Sequence, residues 1–286
     1  MKIGLYRFHE IIDTADMAET EAVLGQSIHI ISVYRAWNTC RIENDRPWLE
    51  RIQGACRDIM LTWEPWRLPA DSERPWNQPR FSYENVLAGD FDSYIRDFTR
   101  QLNGFHQTIY LRFMHEMNGN WYPWGGCVNS NRVDRYVATW HHVHQLVNRY
   151  ATCDIQWVWC PYAASCPDTL NNAIQQYYPG NDVVDWMALD GYNWGVDGPG
   201  SGWQNFNQIF RNAYEKAILL GDRPMMIAEI GCSENGGDKA AWIADSFQQL
   251  KSSFPRIQMV VWFDTDKECD WRIASSQRSL AAFRNT

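Results

Sequence analysis

Two glutamates sit where chemistry could be done. Glu116 follows the apolar run YLRFM, in RFMHEMNGNWYPWG, and Glu229 follows MMIA, in IAEIG. A carboxyl at the end of a buried strand is placed where an active site usually forms, and two brought face to face can divide the work of cleaving an acetal. One, protonated, gives its proton to the leaving oxygen. The other, ionised, stabilises or attacks the carbon left behind. The alternative is structural, with each glutamate buried against an arginine such as Arg112, because an unpaired buried carboxylate is costly. From these residues alone both readings stand.

Neighbouring residues sharpen the question. His115 stands beside Glu116 and is either part of the site or a core histidine satisfied by backbone. Asp190 and Asp264 also end apolar runs, and bonding loop amides or an arginine suits them better than catalysis. Glu64, in WEPW, could bind hydroxyls or cap a loop. His141, His142 and His144 lie on a helical stretch without HExxH spacing, so a solvated face is expected. The 16 tryptophans give a further sign. Trp66, Trp76, Trp121, Trp124, Trp194 and Trp203 stand beside Gly, Pro or Asn rather than inside apolar runs. A flat ring with one N–H donor in a loop suits a stacked ligand, and the C–H face of a sugar fits it.

The elements that must hold these residues alternate. Strands are expected at 2–6, 28–33, 58–63, 108–114, 155–159, 183–189, 224–228 and 257–263. Helices are expected at 16–24, 48–56, 91–102, 133–150, 206–220, 240–250 and 279–283. Runs such as IHIISVY and IQMVVWF are apolar on both faces, as in buried parallel strands. The pattern predicts an α/β fold, a single (β/α)8 TIM barrel over 1–286, with an open cleft at the C-terminal ends of the strands. An open doubly wound sheet is the alternative, but the first strand runs into YRFHE without a glycine-rich phosphate loop. Long loops, 67–89 and NGNWYPWGG, would wall the cleft.

Composition removes other classes. The 286 residues carry 26 basic and 34 acidic side chains, a formal net charge of −8, which argues against nucleic acid as the main partner. No apolar run is long enough to span a membrane. MKIGLYRF enters structure at once, so no signal peptide is expected within this sequence. The eight cysteines show no CxxC spacing. Cys160 and Cys166 either close a short loop or are, like the rest, free thiols packed as small hydrophobes.

RFMHEMNGNWYPWG, LDGYNWG, IAEIG and VVWFD together resemble glycoside hydrolase family 26, and the likeness runs from LTWEPW to DWRIASSQRSLAAFR. The resemblance implies a retaining mechanism, with Glu116 as acid/base, Glu229 as nucleophile and the two carboxyls about 5–5.5 Å apart. It implies that His115 helps bind at the cleavage subsite and that Tyr192 hydrogen-bonds the nucleophile. It sets Trp121 and Trp262 around the same subsite and matches Asn118 and Trp63 to binding positions. Trp194, in DGYNWG, joins them as a sugar-facing ring. The family includes endo-β-1,4-mannanases, mixed-linkage β-1,3-1,4-glucanases and β-1,3-xylanases. WYPWG, DGYNWG, ENGGDKAAWI and WFDTDKECDWR look more like the bacterial mixed-linkage glucanase branch. The expectation is therefore an endo-acting β-glycanase on mixed-linkage β-glucan, with β-mannan as the alternative and a non-catalytic carbohydrate-binding barrel behind both. No metal and no cofactor are implied. The partner is a β-linked polysaccharide, the protein is expected to be a monomer, and the setting extracellular, since such polymers do not enter cells intact.

Overall fold

Eight short parallel strands close on themselves in a computed structural model that describes residues 1–7, 14–38, 57–198 and 202–286. They are β1 (Lys2–Tyr6), β2 (Ile30–Ala36), β3 (Asp58–Glu64), β4 (Ile109–Phe113), β5 (Ile155–Trp159), β6 (Trp186–Asn193), β7 (Met225–Cys232) and β8 (Ile257–Phe263). Each pairs with the next, and β8 returns to β1 with Lys2 opposite Met259 and Tyr6 opposite Phe263. This is the (β/α)8 barrel expected. Helices Thr14–Leu24, Tyr83–Leu87, Asp92–Leu102, Val133–Tyr150, Phe206–Ile218, Lys239–Ser253 and Gln277–Arg284 lie between or after the strands. The helix expected at 48–56 falls outside the described residues.

The two faces of each strand have separate jobs. Ile31, Val33, Leu61, Trp63, Leu111, Phe113, Trp157, Leu189, Val260 and Trp262 join the large outer core against the helices. Phe98, Trp140, Phe210 and Phe247 meet them from the helix side. The alternate residues point inward. Ile30, Met60, Tyr110, Val158, Ala188, Met226, Met259 and Val261 form a separate apolar plug inside the barrel. Because side chains alternate along a strand, the next inward positions lie one layer nearer the mouth. There the plug gives way to Ser32, Thr62, Arg112 and Asp190, all buried.

β6 and β7 run further than their apolar stretches suggest. The strand expected at 183–189 begins at Trp186 and continues through Asn193, and the one expected at 224–228 continues through Cys232. Glu229 therefore lies inside β7 rather than directly after it. The register shifts between Leu189 and Asp190 in one pairing and between Ile227 and Ile230 in the next. Such irregularities re-aim side chains, and they occur here where Asp190 and Glu229 turn to the mouth.

The loop after β8 is tied down by one buried lysine. Lys239, at the start of its helix, donates to the carbonyls of Asp270 and Arg272 at 3.2 and 2.8 Å and to Ser275 Oγ at 2.8 Å. Asp264 holds the same loop, accepting from Ile273 N at 2.6 Å and Arg7 Nε at 2.8 Å. Lys239→Met keeps the aliphatic stem and strands three acceptors. It is expected to cost about 2–3 kcal/mol, read as a lower urea midpoint at unchanged slope.

Candidate active site

The mouth is organised around Arg112, fully buried at the inward position of β4. Its guanidinium donates from Nε to Thr62 Oγ1 at 2.9 Å and from Nη1 to Asp190 Oδ2 at 2.7 Å. Nη2 donates to Tyr34 Oη at 2.9 Å and to Glu229 Oε1 at 2.5 Å. Four strands are thereby tied to one cation. Glu229 also accepts from the hydroxyls of Tyr34 and Tyr192, one on each carboxylate oxygen. Burial and the negative charge of Glu229 push both phenols well above their ordinary range, so they remain donors.

Glu116 reaches the same space from a bent chain. Past the end of β4 the backbone takes left-handed angles at Met114 (φ 46°) and Glu116 (φ 52°). Non-glycine residues held there cost about 1–3 kcal/mol each and persist only where the surroundings enforce them. The enforcement is visible. Glu116 N donates to Cys160 O at 2.8 Å and Gly119 N to Glu116 O at 2.9 Å. Glu116 Oε2 accepts from Trp121 Nε1 at 2.7 Å. Gly119 is needed for that contact, since a Cβ there would lie 2.4 Å from the Trp121 ring. Glu116 does not touch Arg112 among the described contacts. Burial, then the negative charges of Glu229 and Asp190, hold its carboxyl well above the ordinary range. Both glutamates retain 6 % exposure, enough to meet a ligand at the mouth.

Two aromatic walls flank the pair. On one side His115 Nε2 lies 4.0 Å from Glu229 Oε1 and 3.1 Å from the Tyr122 hydroxyl. Burial, then Arg112 and Lys267, keep this imidazole well below its usual pKa and hence neutral. Tyr122 stacks on Trp124 and meets Trp66 edge-on at 5.1 Å. On the other side Trp121 meets Tyr162 edge-on at 5.4 Å, and Trp194 packs against Trp271 at 4.8 Å. Phe263, stacked on Tyr6, closes the floor.

The structure therefore brings Glu116, Glu229, His115, Tyr192, Trp121 and Trp194 to one mouth. It does not bring Trp63 or Trp262 there. Both have outward parity. Trp63 packs on Trp37 and Phe98, and Trp262 on Trp242 and Phe283 with its N–H given to Trp271 O. Their inward neighbours, Glu64 and Phe263, take the mouth instead. Asn118 is also withdrawn, its amide engaged by Tyr162 O, Tyr162 N and Ser165 Oγ, so it shapes the loop after β5. Tyr34 and Tyr122 belong to the mouth and escaped the sequence reading. Tyr34 could have been found by counting inward positions from Ile30.

Asp190 and Asp264 have the structural partners expected of them. The six described cysteines, Cys160 and Cys166 included, are free thiols. His115, Glu116 and Asp190 offer oxygen and nitrogen atoms within 4.8 Å of one another. The donor set does not favour a cation, since Arg112 already supplies positive charge to Asp190 and Trp121 occupies Glu116. No described helix is long and apolar enough to cross a membrane.

Comparison with known proteins places this arrangement. The sequence profile of "Glycosyl hydrolase family 26" matches residues 70–245. The chain is 32 % identical over 99 % of its length to Endoglucanase H of Acetivibrio thermocellus, and spans 30 % of that protein. It is 23 % identical over 96 % of its length to a mannan endo-1,4-beta-mannosidase of Bacillus subtilis, and spans 76 % of it. Among solved structures, the catalytic domain of a Bacillus sp. JAMB-750 endo-beta-1,4-mannanase superposes with a TM-score of 0.72 at 15 % identity, covering all of this chain and 85 % of that one. That likeness speaks to the fold alone.

Arg112 gives the most direct test of the arrangement. Replacing it by methionine leaves Asp190 and Glu229 buried without a counter-charge. Breaking one side of a buried pair costs about 3–5 kcal/mol, measurable by denaturant unfolding. Arg112→Lys keeps the charge but not the fork, and is expected to fall between parent and methionine variant.

Proposed function

The chain belongs to glycosyl hydrolase family 26, and from that premise we propose that residues 1–286 form a retaining, endo-acting β-glycanase using Glu116 and Glu229. The carrying observation is the unequal setting of the two carboxyls. Glu229 lies against a guanidinium and two phenols, all donors, which orient an attacking carboxylate. Glu116 is buried, lacks a cationic contact among the described residues and is pushed toward its protonated form.

The steps follow from these settings. Glu116 gives its proton to the glycosidic oxygen as the carbon–oxygen bond breaks, and Glu229 bonds to the anomeric carbon. The covalent ester removes the negative charge of Glu229. The strongest charge opposing ionisation of Glu116 is then gone, so Glu116 in its carboxylate form takes a proton from water. The hydroxide attacks the anomeric carbon, and Glu229 is released. Configuration is retained because the carbon is inverted twice.

For the polymer, mixed-linkage β-1,3-1,4-glucan is the preferred substrate. The alignment to Endoglucanase H runs over nearly the whole chain at the higher identity, and the motifs after Glu116 and Glu229 look like the glucanase branch. β-Mannan is the second reading, favoured by several mannosidase relatives. The two sugars differ at one hydroxyl, worth about 1–3 kcal/mol through a few contacts. A polymer substrate places the enzyme outside the cell.

Reducing-end release from barley β-glucan, lichenan and galactomannan, with product sizing, tests this reading. New ends on none of the three would overturn it. Glu229→Gln is expected to abolish turnover with the fold kept. Glu116→Ala is expected to lower kcat on polysaccharide by about 10²–10⁴-fold, while aryl glycosides with good leaving groups lose much less in the first step. Because Glu116 must start protonated, activity is present below its raised pKa and lost as pH rises through it. Initial rates on polysaccharide across pH should show that alkaline limb.

A further inference from the structure

One buried acid at the mouth has no part in those steps. Glu64 ends β3 at an inward position and is 2 % exposed. Its carboxyl has a single side-chain contact among the described residues, Trp66 Nε1 to Oε2 at 3.3 Å. The other oxygen accepts no hydrogen bond there. The local chain arranges this. Trp66 N donates back to Glu64 O at 2.8 Å across Pro65, a three-residue turn that folds the indole over its own neighbour's carboxyl. Asn38 N on Trp66 O at 2.9 Å holds the turn from outside.

The setting of this pair is a wall of the mouth. Trp66 is half-buried, with Tyr122 and Trp124 edge-on at 5.1 and 5.8 Å. Tyr122 bonds His115, and His115 lies 4.0 Å from Glu229. Glu64 and Trp66 thus continue the line of contacts that begins at Glu229. Burial raises the Glu64 carboxyl to about 8, with Glu229 adding to the shift and Trp66, Arg112 and Lys267 opposing it. At neutral pH it is a donor. Among the described residues this acid has one weak partner, and against those residues an apolar side chain would pack at lower cost.

We propose that Glu64 and Trp66 form one sugar subsite beside the reacting bond, the indole lying against a pyranose C–H face and the Glu64 oxygen that Trp66 does not engage hydrogen-bonding a ring hydroxyl. The inference rests on the glycanase reading above and names a specificity contact that the reaction steps themselves do not require. It predicts that donor capacity at position 64 matters, while its negative charge does not.

The test uses the full chain in the Glu229→Gln background, where bound sugar is not consumed. Mixed-linkage glucotetraose and mannotetraose are titrated by calorimetry. Glu64→Leu and Trp66→Ala are each expected to weaken binding of the preferred tetrasaccharide about ten-fold, a lost buried hydrogen bond or stacking face. Glu64→Gln, which keeps a donor, should stay within about three-fold. The double variant should lose less than the product of the singles, because both act on one ring. Glu64→Leu should melt at or above the temperature of its background, as expected of a residue kept for binding at the expense of stability. Unchanged affinity for both sugars in the single variants would overturn the subsite while leaving the glycanase reading intact. So would a Glu64→Leu protein that melts lower and a Glu64→Gln protein as weak as Glu64→Leu, since that pair marks a structural carboxylate. Binding of neither sugar by the Glu229→Gln protein, with no hydrolysis by the parent, would overturn both.

Discussion

One guanidinium sets the terms for the whole mouth. Arg112 is sealed inside the barrel with Asp190 and Glu229 in direct contact. Taking that charge out of water is expensive, and the two directly paired carboxylates offset the cost. A single positive charge can meet two carboxylates. It cannot also meet Glu116 and Glu64, which lie in the same low-dielectric space without touching it. Burial pushes the Glu116 and Glu64 carboxyls upward, and it does the same to Asp190 despite its contact with Arg112. On the proposed mechanism Glu229, which has two phenol donors besides the guanidinium, is the attacking carboxyl, and Glu116, held only by an indole N–H among the described residues, bears the proton.

The barrel supplies that contact set through strand parity. Inward positions on β2, β3, β4 and β6 place Tyr34, Thr62, Arg112 and Asp190 around one axis, and the apolar plug beneath them excludes water from below. Two features break the regular lattice. The shifted pairings of β7 turn Glu229 into the mouth, and the left-handed backbone at Met114 and Glu116 lifts the second carboxyl over it. Both irregularities lie at the site and are held by bonds from neighbouring strands and loops, as stored strain must be.

This explains what the sequence made legible. β1, β5, β8 and the helix Val133–Tyr150 fall where their apolar pattern ends. β2, β6 and β7 were read too short at their C-terminal ends for one reason. A barrel interior turns polar near its mouth, so the apolar run stops before the strand does, at Tyr34, Asp190 and Glu229. The family resemblance sets Trp63 and Trp262 at the cleft, yet each stands one step from the inward register. Parity along β3 and β8 names Glu64 and Phe263 in their place. Arg112 entered the sequence reading only as a structural partner that would compete with catalysis. In the fold the two readings coincide: Glu229 is ion-paired with Arg112 and is also the carboxylate at the mouth.

On the proposed mechanism the same charge count drives the second half of the cycle. In the resting site Glu116 keeps its proton because a further negative charge beside Glu229 would be opposed by burial and by repulsion together. Esterification of Glu229 removes the larger share of the repulsion, leaving that of Asp190 and the burial. Arg112 then faces only Asp190, so its field, which already favours ionisation of Glu116, is less offset at the mouth. The shift that turns an acid into a base is produced by neutralising one carboxylate next to a fixed cation. It needs no moving part, which fits a site whose reacting groups are anchored to strands and to a loop locked by Trp121, Gly119 and Cys160.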